Sequence, residues 1–147
     1  MPMPANDPGP DPDGDDLVGI TVLDTDDCQA LLGSTPIGRV AFVHEGHLAV
    51  YPVNYRWTDG TVVFRTIVGE KLSAAQQFSD VAFEVDEWDI RNHSGWSVLV
   101  RGVAEPVTDW AEVEQLEQLD LVPWANEEWR RRWVRIVPTE VTGRRVP

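Results

Sequence analysis

One short window, Arg65-Thr66-Ile67-Val68-Gly69-Glu70-Lys71, holds the residue types that could grip a phosphate. A phosphate needs positive charge and N–H donors converging from several directions. Arg65 and Thr66 fall where a strand is expected to end and supply a guanidinium fork and a hydroxyl. Gly69 lets the backbone approach an anion closely. Glu70 and Lys71 open an expected helix, whose first turn presents unpaired N–H groups and the positive end of its dipole. The same residues also suit ordinary surface cations and an ordinary turn. The phosphate reading is favoured because Lys71 is the only lysine among 12 basic residues.

A second group precedes it at Tyr51-Pro52-Val53-Asn54-Tyr55. Proline has no N–H and is normally kept out of a central strand. Here Pro52 interrupts a run of β-branched and aromatic residues, and the backbone beside it is left to meet a planar heterocycle carrying carbonyls and ring nitrogens. A β-bulge or an edge position is the alternative.

The elements that must position these residues are short. Asp24 or Thr25 caps a helix that runs through Leu32 and ends at Gly33. Strands are expected over Arg39–Val43, His47–Trp57 and Thr61–Thr66, separated by Glu45-Gly46 and Asp59-Gly60, both suited to tight hairpins. A helix is expected over Glu70–Phe78. Val81, Phe83 and Val85 alternate with Ala82, Glu84 and Asp86, as do Trp96, Val98 and Val100 with Ser97, Leu99 and Arg101. Asp109 and Glu112 form a capping box for a helix expected to carry Trp110, Val113 and Leu116 inward. A last strand runs from about Trp133 to Val141. Six closely spaced strands with few helices predict a mainly β fold closed as a barrel.

Taken in order, these segments resemble the pyridoxamine 5'-phosphate oxidase-like, FMN-binding split-barrel family. The match runs through Gly-Arg-Val-Ala-Phe at 38–42, Pro-Val-Asn-Tyr at 52–55, the Phe64–Lys71 window and Gly-Trp-Ser-Val at 95–98. It continues through Arg-Ile-Val-Pro at 135–138 and Thr-Gly-Arg-Arg at 142–145. The resemblance implies a six-stranded split barrel that forms a homodimer with flavin sites at its interface. It further implies that Arg65, Thr66 and Lys71 hold the phosphate and ribityl end, with Phe64 and Gly69 of the same window also at the cofactor. Pro52, Val53, Asn54 and Tyr55 would line the ring, and Trp96 and Ser97 would reach it from the partner subunit. The chain departs from the true oxidases: it ends in Thr-Gly-Arg-Arg-Val-Pro, and the Arg-x-His pair that grips their substrate phosphate is missing. It looks like the divergent branch of flavin-binding and nitroimidazole-resistance-type proteins.

Composition bounds the rest. The chain of 147 residues suits one domain, expected over residues 17–147 behind an acidic, Pro- and Asp-rich tail at 1–16 expected to be disordered. A net charge of −13 argues against nucleic-acid binding. With neither a signal pattern nor a membrane-spanning run, the expected location is the cytoplasm. The single cysteine, Cys28, reads as a buried small hydrophobe. Of the three histidines, His44 and His47 flank an expected turn and read as exposed polar residues; no metal site is expected, and nothing favours haem. The arginines Arg130–Arg132 read as a solvated helix face. The expected function is FMN-dependent reduction of a small electrophile with hydride from NAD(P)H. A flavin-binding module without turnover and an enzyme using the deazaflavin F420 are the alternatives. No catalytic residue is assigned, because a flavin carries its own hydride chemistry.

Overall fold

A computed structural model of the chain describes residues 19–66, 79–121 and 132–147. Two tight turns set its frame. Glu45 and Gly46 have φ of 50° and 77°, and Asp59 and Gly60 have 51° and 70°. Paired left-handed residues match the twist of a two-residue hairpin. The first turn joins β2 (Ile37–His44) to β3 (His47–Thr58), with His44 opposite His47 and Ile37 opposite Asn54. The second joins β3 to β4 (Thr61–Thr66), which pairs with β3 along Tyr55–Thr58.

β5 (Ser79–Asp89) pairs with β2 on one side and with β6 (Ser94–Pro106) on the other. β7 (Arg132–Val146) closes the sheet: its first residues pair with β4, and from Val134 to Val146 it pairs with β6. The order β2-β3-β4-β7-β6-β5 therefore returns to β2. All six expected strands are present. A seventh, β1 (Thr21–Val22), pairs with Arg144 and Arg145, too short to show alternation in the sequence. β7 runs past Val141 because Thr142–Val146 continue the ladder with Gly95–Leu99 beyond a bulge at Arg101 and Gly102.

Inward-facing residues alternate along each strand and fill the barrel with Val40, Phe42, Val53, Tyr55, Val62, Phe64, Phe83, Val85, Val98, Val100, Val134 and Ile136. Each such side chain contributes about 1.5–3 kcal/mol by burial. The fit is tight at Gly38, where a Cβ would lie 2.2 Å from the Phe83 ring. Helix α1 (Thr25–Leu32) adds Cys28 and Leu32 to this core; the Asp24 carboxylate accepts the Asp27 N–H at 2.8 Å, and Gly33 ends the helix.

Helix α2 (Trp110–Glu117) starts at Asp109, whose carboxylate accepts the Glu112 N–H. Val113 and Leu116 pack on Val107, Leu121 and Trp133 in a second, smaller cluster. Trp110 does not join them; it is 74% exposed. As the first residue of a two-turn helix it lies beyond the stretch from Val113 to Leu116 that packs, partly buried, on that cluster. The acidic tail, the helix expected over Glu70–Phe78, and Arg130 and Arg131 lie outside the described residues.

Candidate functional site

The strand alternation sorts the expected site residues by face. Val53, Tyr55 and Phe64 point into the barrel and are buried. The Tyr55 hydroxyl donates to the Leu32 carbonyl, lies 2.8 Å from Thr35 Oγ1, and its ring meets Phe83 edge-on at 4.8 Å. Burial raises the phenol pKa, opposed by the Thr35 bond. These three side chains hold the strands in place and face away from any ligand on the outer surface.

Pro52, Asn54 and Arg65 point outward. Tyr55 is registered with Phe64, so Asn54 and Arg65 are the next residues along on neighbouring strands, with Pro52 two further on. β4 stops at this point. Between His47 and Asn54, β3 has a strand neighbour only on its β2 side among the described residues. The missing N–H of Pro52 is tolerated where strand pairing is incomplete.

Arg65 is opposite Trp133 on β7. Its guanidinium carbon lies 5.5 Å from the centre of the Trp133 ring. Arg65 Nη1 is 2.9 Å from the Glu117 carboxylate at the end of α2, and that carboxylate also accepts the Trp133 indole N–H at 3.1 Å. Thr66 ends β4 opposite Arg132. Gly69 and Lys71 lie outside the described residues.

Trp96 and Ser97 are on a different sector. Trp96 shares the inward parity of Val98 and packs against the edge of the main core. Ser97 faces out, registered with Arg144, in a groove of about 190 Å³ that also takes in Leu99, Arg101, Thr142 and Gly143. β2 and β5 stand between this groove and β3, so Ser97 and Asn54 are roughly 14 Å apart at about 4.8 Å per strand. One chain does not bring them together.

Between them Arg39 bridges Glu84 at 3.0 Å and Asp86 at 3.2 Å. Burial opposes ionisation of Asp86, but the Trp88 indole N–H and Arg39 outweigh it and hold the pKa low. Burial and the neighbouring Asp86 raise that of Glu84 against the pull of Arg39. Beside this row the outer face is apolar: Val43, Leu48 and Val50 are 58%, 85% and 63% exposed. Val43 and Leu48 border a groove of about 440 Å³ lined in part by Ala41, Ala82 and Arg101. No helix among the described residues is long and apolar enough to cross a membrane.

Three residues beside the site escaped the sequence reading. Glu117 is one acid among many and meets Arg65 across 52 positions. Trp133 carried only a strand pattern. Arg144 lay in the Thr-Gly-Arg-Arg segment, but its pairing with Ser97 needed the register.

Residues 24–145 match the family model described as pyridoxamine 5'-phosphate oxidase. An uncharacterized protein of Mycobacterium tuberculosis is 39% identical over 132 residues, 86% of each chain. Among solved structures, the FAD binding protein of Mycobacterium smegmatis superposes with a TM-score of 0.72 at 38% identity, covering 86% of this chain and all of that one. A conserved protein of unknown function from Corynebacterium diphtheriae superposes with a TM-score of 0.72 at 36% identity, over 88% of this chain and 99% of the other.

Proposed function

This chain belongs to the pyridoxamine 5'-phosphate oxidase family, and from that premise we propose that it is a homodimeric flavin-nucleotide-binding protein. The phosphate rests at Arg65 and Thr66, and the ring lies along the outer edge of β3 at Pro52–Asn54. The register supports this reading most: Asn54 and Arg65 are adjacent outward positions where β4 ends and where, among the described residues, one edge of β3 has no strand partner. Gly69 and Lys71, four and six residues beyond Arg65, complete the phosphate cradle in this proposal. Val53, Tyr55 and Phe64 fix the strands from inside.

A second copy supplies what one chain keeps apart. Ser97 and Arg144, with Trp96 beside them, face the ring from the partner, and Val43, Leu48 and Val50 are covered by the dimer. Exposed apolar surface of this kind on a strand face favours association.

A bound flavin supplies hydride and electron transfer through its ring. The protein holds the phosphate by charge, positions the ring against the β3 backbone and limits access by water. The activity proposed is reduction of a small electrophile with hydride from NAD(P)H in the cytoplasm, with FMN as the cofactor. FAD is a second reading, favoured by the 38% identical FAD binding protein of Mycobacterium smegmatis. It shares the ring and the phosphate nearest it.

The purified chain should be yellow, with a flavin spectrum, and the mass of the released cofactor identifies FMN or FAD. Release of F420 would move the reading to a deazaflavin enzyme, and a colourless chain that takes up none of the three would overturn it. Steady-state oxidation of NADH or NADPH with an added acceptor separates an enzyme from a binding module.

A further inference from the structure

Glu117 already occupies the guanidinium that the cofactor phosphate would use. We propose that it acts as a built-in competitor for that phosphate, setting how strongly a phosphorylated flavin is preferred over an unphosphorylated one. This inference rests on the assignment of Arg65 to the phosphate.

The position of Glu117 is fixed from elsewhere on α2. Val113 and Leu116 pack against the Trp133 cluster, and Glu112 pairs with Arg135 at 3.3 Å. Arg135 is itself held by Glu105 at 2.7 Å. The last residue of the helix is thereby delivered over β4 and β7. There Glu117 accepts from both Arg65 and the Trp133 indole N–H.

The two partners differ in how firmly they are held. The Arg65 side chain is 22% exposed and lies over the Trp133 ring; that of Glu117 is 47% exposed. Glu117 can rotate into water with little packing to lose, while the guanidinium stays where Trp133 holds it. A phosphate carries more charge than a carboxylate and offers more acceptor oxygens, so it takes over the guanidinium and displaces the side chain. A neutral flavin has nothing with which to displace it. Displacement also breaks the Trp133–Glu117 bond, which gives the exchange a local reporter.

The test uses the full-length chain freed of cofactor. Glu117→Gln removes the charge and keeps an oxygen to accept the Trp133 N–H. It should bind FMN roughly two- to fivefold more tightly, as expected for loss of one partly exposed ion pair, with riboflavin affinity unchanged. The Trp133 indole N–H resonance, assigned with Trp133→Phe, should move when FMN or inorganic phosphate is added to the wild type. It should move less in Glu117→Gln. Unchanged or weaker FMN binding by Glu117→Gln would overturn the competitor role, the weaker case making Glu117 a residue that orients Arg65. If that variant does not fold, the wild-type resonance decides: no movement with either ligand refutes the exchange. Failure of the underlying reading has another signature, since wild-type protein would then bind FMN and riboflavin equally.

Discussion

Tyr55→Phe separates a structural role for this residue from a role at the ring. The side chain is fully buried, and its hydroxyl donates to the Leu32 carbonyl and lies beside Thr35 Oγ1. The last carbonyls of a helix have no intrahelical N–H partner, and Leu32 is the last residue of α1. Removing one oxygen keeps the ring against Phe83 and opens almost no cavity, but takes the hydroxyl donor from that carbonyl. A buried polar group so deprived destabilises by about 1–3 kcal/mol. For a chain of this size that lowers Tm by roughly 2–12 °C. Urea melts followed by tryptophan fluorescence measure the loss. A double-mutant cycle with Thr35→Val should be less than additive, because both substitutions break one bond. Flavin affinity should stay within about twofold of wild type. A change in stability of less than about 0.5 kcal/mol in Tyr55→Phe, or loss of flavin with Tm unchanged, would rule out the structural role of the hydroxyl.

Gly38→Ala would put a Cβ 2.2 Å from Phe83 Cζ; overpacking of this kind should lower stability by roughly 1–3 kcal/mol, and adding Phe83→Leu should recover part of it in the same melts. The Cys28 thiol is raised in pKa by burial and then by Asp24 and Asp27, so thiol labelling of the native chain should be slow and reach the unfolded rate only where global unfolding begins. Asp86 has a lowered folded pKa, so the stability it adds is present above about pH 3.9 and is lost as pH falls through the folded value. Glu84 has a raised one, so its contribution is full below about pH 4.3 and is lost as pH rises through the folded value. Stability measured against pH should therefore lose an acid-side rise in Asp86→Asn and a fall with increasing pH in Glu84→Gln.

Local chemistry made much of the fold legible. Glu45-Gly46 and Asp59-Gly60 mark the hairpins because few residue pairs accept two positive φ values in succession. Asp24 starts α1 because its carboxylate accepts the Asp27 N–H, and Gly33 follows the last residue of the helix. Alternation found the strands, although the ends of β7 and the presence of β1 depend on pairing with distant segments. The site was legible as a list of residues more than as an arrangement. A ring-lining role for Val53 and Tyr55 fits their place beside Pro52, yet their parity with Val62 and Phe64 turns both side chains inward. Glu117 could not be found from the sequence, because nothing local distinguishes an acid that will meet an arginine on another element. Trp110 misled for a related reason: a large apolar residue at a helix start is buried only if the neighbouring element extends that far.

The central claim, that Arg65 holds the phosphate of a flavin nucleotide, is tested most directly by comparing FMN and riboflavin binding to cofactor-free wild type, Arg65→Ala and Arg91→Ala. Arg91 is an exposed cation in the β5–β6 turn, away from the proposed cradle. A charge-assisted bond to phosphate contributes roughly 1.5–3 kcal/mol, so Arg65→Ala should weaken FMN by roughly ten- to a hundredfold. Riboflavin should change far less, and Arg91→Ala should leave both alone. Equal weakening of FMN and riboflavin by Arg65→Ala, or equal FMN affinity in all three proteins, would contradict the account.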